Sequence, residues 1–299
     1  MKKILFAVFV IVFANQMKAQ QLNTFSLYLE NKYSINPAVA GSMQYNPLVL
    51  SYRRLWTGID NSPVTQYLST NMALKENVGL GCKVYSASAG PLVKTGVEVT
   101  YAYHFSVGSR GSKLSFGISP MLYEYRLDKS KISLENPDDN TVLQSSDRLI
   151  VPDATFGAYY YNQKYYVGLA IPQLFNRKID LMNKGELEER QVRHYFLNAG
   201  YLYKVDNYYT IEPSLLVKFI EAGIIQAEIG ARVIYQKTFW GGVSYRTQDA
   251  AVILFGIRKD RFTCGYAYDI TLSNLRKYSE GSHELLFIYN FNRSRPKLL

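Results

Sequence analysis

Cysteine is nearly absent from this sequence of 299 residues, which contains two cysteines, two tryptophans and three histidines. Cys82 and Cys264 lie far apart, each within an apolar alternating segment. Small secreted folds that depend on disulfides use cysteine densely. The sequence therefore does not indicate a disulfide framework.

Histidine is also scarce, and the common catalytic and metal-binding motifs are missing. No HExxH, GxSxG, CxxC or glycine-rich phosphate loop occurs. His283 and Glu284 are adjacent, so a strand would point their side chains to opposite faces. The sequence predicts no catalytic residue, no cofactor site and no metal site, and hence a protein that is not an enzyme.

Long hydrophobic runs are limited to residues 4–14, which follow Lys2 and Lys3 and precede a polar stretch. This order is typical of a secretory signal peptide. The run is too short for a spanning helix, which needs about 20 apolar residues. We expect a signal peptide over residues 1–19, cleaved near Ala19, and no membrane-spanning helix after it.

Positive charge is in excess but diffuse. The formal net charge is +10, and loss of Lys2, Lys3 and Lys18 with the signal peptide leaves 10 − 3 = +7. The lysines and arginines are spread one or two per segment, without the dense basic run typical of nucleic-acid binding. Together with export, this pattern argues against a nucleic-acid partner.

Tyrosine and a two-residue periodicity are abundant. The chain has 26 tyrosines and 15 phenylalanines. From Pro47 to Phe291, about fourteen runs alternate between apolar and polar residues and are separated by turn sequences. Clear examples cover residues 97–105, 195–205, 209–219 and 225–235.

A soluble β-sandwich also alternates apolar and polar residues, so the details of the runs decide. Their length of about 9 to 11 residues matches a tilted crossing of a bilayer. Aromatic residues cluster near the ends of the apolar faces, as in the girdles of membrane barrels. The sequence therefore predicts an all-β fold, a transmembrane antiparallel β-barrel of about fourteen strands, with a soluble all-β protein as the alternative.

Two adjacent arginines interrupt the first predicted strand, "PLVLSYRRLW". The alternation places Leu50 and Tyr52 on the apolar face and Ser51 and Arg53 on the opposite face, which predicts that Arg53 points into the lumen. Arg54 falls on the apolar face near the interface, where it can snorkel. In the alternative, both arginines lie at the strand end in the headgroup region.

Two long charged connections, residues 128–153 and 172–191, separate predicted strands. Barrels of this type have short periplasmic turns and longer outward loops, which predicts that both are extracellular. They are either solvated loops or a surface that binds a partner.

Three short motifs resemble the PorP/SprF family of type IX secretion membrane proteins of Bacteroidota. They are "INPAVAG", "SYRRLWTGIDNSP" and "CGYAYDITLSNLRKYSEGSHELLFIYNF". The matching residues are Asn36, Pro37, Ala38, Gly41, Tyr52, Arg53, Trp56, Gly58, Pro63, Tyr266, Tyr268, Asp269, Ser273, Leu275, Gly281, Ser282, His283 and Glu284.

The resemblance implies an integral barrel of the cell outer membrane that serves protein secretion, gliding motility or retention of large adhesins at the cell surface. The implied partners are a secreted adhesin or its C-terminal domain, other type IX secretion components and outer-membrane lipid. It also implies a relation to long-chain fatty-acid channels, which carry an N-terminal hatch with an Asn-Pro-Ala motif.

On this basis we expect an N-terminal hatch over residues 20–46, a barrel over residues 47–292 and a tail over residues 293–299. Pro37 disfavours helix at Asn36, and Gly41 allows a sharp reversal, so the "NPAVAG" segment suits a hatch that includes Ala38. The alternative is an ordinary turn before the first strand.

Closure of a barrel places its last strand beside its first. Asp269 and Glu284 lie on the predicted lumen faces of the last two strands, so either can pair with Arg53 in a structural network or a binding site. Three functions remain open: a protein-binding barrel of type IX secretion, a channel for hydrophobic or small polar solutes, and a purely structural barrel or adhesin.

Overall fold

The computed structural model describes residues 25–108, 111–131, 148–176, 193–221, 223 and 225–293. The predicted signal peptide, the first residues of the expected hatch and residues 294–299 of the expected tail lie outside these ranges. Much of both long charged connections lies outside them too. In the described ranges, no helix is long and apolar enough to cross a membrane.

The chain folds almost entirely into strands. They are β1 (Tyr45–Arg54), β2 (Val64–Lys75), β3 (Val78–Ala89), β4 (Leu92–Val107), β5 (Ser112–Leu127), β6 (Arg148–Tyr161), β7 (Tyr165–Ile171), β8 (His194–Tyr201), β9 (Tyr203–Lys204), β10 (Tyr209–Ile220), β11 (Ile225–Tyr235), β12 (Phe239–Arg246), β13 (Ala250–Lys259), β14 (Phe262–Thr271) and β15 (Ser282–Arg293). Short 3-10 turns occupy Lys32–Ser34, Pro37–Val39, Lys129–Lys131 and Asn274–Lys277.

The strands form one closed antiparallel barrel. β1 pairs with β2 on one side and with β15 on the other, where Leu50 lies opposite Phe287. β8 and β9 both pair with β10 and are two pieces of one wall strand, so the fifteen strands make fourteen wall positions. The predicted fold and strand number are confirmed.

The two faces of the wall differ as the periodicity predicts. On β1, Val49, Ser51 and Arg53 are buried inside the barrel, whereas Leu50 and Tyr52 point outward. The outer face carries a band of exposed apolar side chains, including Leu68, Val84, Val99, Ile118, Leu122, Val167, Leu197, Ile229, Val243, Phe255, Leu285 and Phe287. Such a band fits contact with lipid and does not fit a soluble protein.

The two ends of the barrel differ in the length of their connections. At one end, which we call the turn end, β2 connects to β3 through Glu76 and Asn77, and β13 connects to β14 through Asp260 and Arg261. At the other, the loop end, residues 55–63, 128–147, 172–193 and 272–281 make long connections. Since outer-membrane barrels keep short turns in the periplasm, we expect the loop end to face outward.

Candidate functional site

The N-terminal segment, residues 25–44, lies inside the barrel before the chain enters β1. Tyr33, Ala38 and Ala40 are fully buried. They belong to one apolar cluster with wall residues that include Ala102, Tyr159, Tyr166, Phe196 and Leu216. The segment therefore packs against the inner surface of the wall on several strands.

The "NPAVAG" motif gives this segment its local shape. Asn36 caps the 3-10 turn Pro37–Val39, because its Oδ1 accepts a hydrogen bond of 2.9 Å from the Ala38 amide. Its Nδ2 donates to the carbonyl oxygens of Ala158 on β6 and Leu169 on β7, at 3.0 and 3.2 Å. Gly41 adopts φ +76°, a left-handed conformation that favours glycine.

Glycines in the wall make room for the segment. A Cβ added at Gly79 would lie 1.9 Å from the Ala40 carbonyl oxygen, and one at Gly117 would lie 2.5 Å from the Ala38 amide nitrogen. A Cβ at Gly157 would lie 2.1 Å from Oδ1 of Asn36. The backbones of wall and segment touch only because these positions lack side chains.

Gly79→Ala is expected to displace the N-terminal segment, because overpacking a close contact typically costs about 1–3 kcal/mol. We expect higher single-channel conductance in planar bilayers and faster proteolysis of the segment. Gly241→Ala is the matched control, because the nearest atom to a Cβ added there is the Leu254 carbonyl oxygen at 3.5 Å, an ordinary van der Waals distance. Equal conductance of the two variants would contradict the tight contact.

Arg53 lies inside the barrel at the seam between β1 and β15. Its guanidinium pairs with Oδ2 of Asp269 at 2.7 Å and with Oε2 of Glu284 at 2.8 Å. All three side chains are nearly fully buried. The structure thus brings together Arg53, Asp269 and Glu284, the three residues of the predicted lumen network.

The N-terminal segment takes part in the same network through Ser26. Its hydroxyl donates to Asp269 at 2.8 Å and accepts from Arg53 at 2.6 Å, and its amide donates to Glu284 at 2.6 Å. Arg246 on β12 adds an ion pair with Asp269 at 3.0 Å. These contacts fasten the segment to four strands around the closing seam.

A second buried network, which the sequence reasoning missed, holds the middle of the segment. Arg232 on β11 binds both Glu30 of the segment and Glu212 on β10. Lys32 of the segment pairs with Glu212 at 3.3 Å, and Arg258 pairs with Glu30 at 3.0 Å. The polar faces of β10 and β11 were visible in the sequence, but Glu30 and Lys32 lie in a stretch without periodicity.

Arg54 differs from Arg53 in orientation, exposure and hydrogen bonding. It points outward at the loop end, is exposed, and donates from Nε to the Ser62 hydroxyl at 3.2 Å. This position fits an arginine at the membrane boundary. The headgroup alternative does not describe Arg53, whose side chain is buried in the lumen.

The motifs "SYRRLWTGIDNSP" (residues 51–63) and "CGYAYDITLSNLRKYSEGSHELLFIYNF" (residues 264–291) contact each other at the loop end. The Trp56 amide donates to the Ser282 hydroxyl at 3.0 Å, and the Thr57 amide donates to the Gly281 carbonyl at 2.8 Å. Gly58 and Gly281 both have positive φ, at +92° and +97°. Residues 55–63 and 272–281 therefore form one rim above the β1–β15 seam.

The other motif residues support this rim or face outward. Pro63 accepts a hydrogen bond of 2.9 Å from the Leu55 amide at the base of the loop. The Tyr268 hydroxyl donates to the Glu280 carbonyl at 2.7 Å, and Tyr266 and His283 share a hydrogen bond of 2.6 Å. Tyr52 is exposed on the outer face.

A cavity of about 820 Å³ lies between the N-terminal segment and the loop end. We call it the vestibule. Its floor includes Phe25, Ser34 and Ile35 of the segment. Its wall is formed by inward-facing side chains that include Thr65, Lys83, Tyr85, Lys94, Tyr123, Tyr125, Thr155, Phe196, Lys218, Arg246 and Thr271.

Comparison with known proteins agrees with this architecture. The crystal structure of the Ralstonia pickettii toluene transporter TbuX superposes with a TM-score of 0.51 at 10% identity, over 85% of this chain and 91% of that one. A Pseudomonas aeruginosa FadL homologue gives a TM-score of 0.47 at 11% identity, over 86% and 93%. The likeness to TbuX supports the barrel fold.

A search of curated protein sequences found no match. The family model described as "Type IX secretion system membrane protein PorP/SprF" matches residues 17–289. This range contains the first two motifs, the third motif up to Tyr289 and the barrel except for the last four residues of β15. The chain is therefore a member of the PorP/SprF family of type IX secretion system membrane proteins.

Proposed function

We propose that this barrel supports the secretion or surface retention of a large adhesin-type protein by binding it at the loop end. The observation that carries the proposal is the division of the lumen. The N-terminal segment fills the middle of the barrel and is tied to the wall by two buried ion networks, while the vestibule above it opens toward the loop end.

This arrangement suits binding better than conduction. A buried ion pair that loses one partner typically costs about 3–5 kcal/mol, so the segment leaves the lumen only at considerable cost. A polypeptide that reaches the vestibule from the loop end can bind there without that change. The secreted adhesin or its C-terminal domain is the partner that type IX membership suggests, in gliding or surface attachment.

Site-specific crosslinking in the producing cells tests this proposal. A photoreactive residue in place of Ala89, which lines the vestibule on the inward face of β3, is expected to give a high-mass adduct with one large secreted protein. The matched control carries the same residue at Lys164, which is exposed at the turn end. Deletion of the barrel should lower the amount of that secreted protein at the cell surface.

Adducts of equal yield from both positions, or an unchanged surface proteome after deletion, would contradict the proposal. A channel for hydrophobic or small polar solutes is the second candidate, because the vestibule volume falls within the range of small-molecule sites. It predicts solute flux through proteoliposomes that contain the unaltered barrel, without any secreted partner.

A further inference from the structure

Lys94 on β4 reaches into the vestibule and lies among three tyrosine rings. Its Nζ is 3.9 Å from the ring centroid of Tyr123, 5.1 Å from that of Tyr125 and 5.9 Å from that of Tyr85. An ammonium group over aromatic faces is held by cation–π attraction, which leaves its hydrogen atoms available to other acceptors.

The arginines and Lys83 of the same wall already have acidic partners. Lys83 pairs with Glu98 at 2.8 Å, and Arg53 pairs with Asp269 and Glu284. Arg246 pairs with three carboxylates, those of Glu228, Asp249 and Asp269. Their charges are compensated inside the protein, so they offer less to an incoming anion.

Lys94 differs, because no side chain or backbone group in the described ranges forms a hydrogen bond or ion pair with its ammonium. Asp153 on β6 is close enough to act on Lys94 electrostatically. Its Oδ1 atom accepts the Ala154 and Phe175 amides at 2.7 and 3.0 Å, and its Oδ2 atom has no hydrogen-bond partner among the described residues, Lys94 included. The Lys94 ammonium thus lies in the vestibule and has no hydrogen-bond acceptor among the described residues.

We propose that the vestibule binds a carboxylate of an acidic peptide segment, with Lys94 as the cation that receives it. This inference rests on the proposed function and specifies the chemistry of the partner. A charge-assisted hydrogen bond from the ammonium then fixes the position of the carboxylate.

The lining of the vestibule favours a peptide over a fatty acid. Beside apolar side chains, its wall carries hydroxyl and amide side chains, namely Thr65, Thr155, Gln173, Gln226, Thr271 and Ser273. A peptide backbone can form further hydrogen bonds with such groups, and its side chains can pack on the apolar part of the lining, whereas an alkyl chain forms no hydrogen bonds with them. The volume of about 820 Å³ is large enough for a short stretch of chain.

The test measures binding to the purified full-length barrel in detergent by fluorescence anisotropy. The probe is a short fluorescein-labelled peptide of alternating Glu and Ser with a free carboxyl terminus. Lys94→Gln is expected to weaken its binding by about tenfold, the scale of one hydrogen bond to a charged group. Lys277→Gln, which removes an exposed charge outside the vestibule, is expected to leave the affinity unchanged.

Three results would overturn the inference: equal affinity for an amidated Gln–Ser peptide, equal affinity of Lys94→Gln and Lys277→Gln, or displacement of the probe by myristate but not by unlabelled peptide. Migration of unheated and heated samples on gels verifies that each variant is folded. Failure of this binding test together with a successful Ala89 crosslink removes only the acidic-peptide inference. Peptide binding without the crosslink removes the proposed function instead.

Discussion

Arg53→Ala is expected to release the N-terminal segment from the closing seam while the strands stay paired. Among the described residues, the change leaves the buried Glu284 with only the Ser26 and Leu27 amides as donors. Removal of one partner from a buried ion pair typically costs about 3–5 kcal/mol. We expect higher single-channel conductance in planar bilayers and less partner protein at the cell surface.

Arg54→Ala is the matched control for this change. It removes the same side chain from the neighbouring position, where the guanidinium is exposed and bonds only to the Ser62 hydroxyl. Exposed polar interactions contribute little to stability, so both measurements should stay at the level of the unaltered protein. A larger effect of Arg54→Ala than of Arg53→Ala would refute the lumen network as the anchor of the segment.

Ile229→Arg is expected to prevent most of the chain from assembling into a folded barrel. Ile229 lies near the middle of β11 on the outer face, opposite Leu215, and is among the most exposed apolar residues. An arginine at the midplane of a membrane barrel costs about 2–4 kcal/mol. The folded fraction in outer membranes, read from the migration of unheated samples on gels, measures the loss.

Tyr235→Arg tests whether depth in the membrane causes the effect. Tyr235 shares the outer face of β11 with Ile229 but lies at the turn end of the strand. Near the interface the cost falls to about 0–1 kcal/mol, so this variant should fold almost normally. Similar losses in both variants would mean that β11 crosses the membrane at another height.

The wall of the barrel could be predicted because each strand must satisfy one simple rule. Every second residue faces lipid and must be apolar. In β10 and β11 the outer face accordingly carries Ile211, Leu215, Ile229 and Val233. The same rule placed Arg53 inside. Antiparallel closure then brought Asp269 and Glu284 to Arg53, since the first and last strands of a closed barrel are neighbours.

The interior contents could not be predicted in the same way. The N-terminal segment has no period, so neither Glu30 nor Lys32 showed which strand it would contact. Gly79 and Gly157 looked like ordinary strand glycines in the sequence, and only the backbone of the segment explains them. β1 also begins at Tyr45, before the expected boundary at residue 47, because Tyr45 pairs with Arg293.

The hydrogen bonds of Ser26 have a consequence for the order in which the protein folds. Ser26 is separated from Asp269 by 243 positions and from Glu284 by 258. Contacts so distant in sequence form slowly, because a long loop must close before they contribute any stability. We therefore expect Ser26 to dock on β14 and β15 last, after the intervening strands have paired. A chain truncated before β14 retains most of its hairpins but has no site at which Ser26 can be fastened.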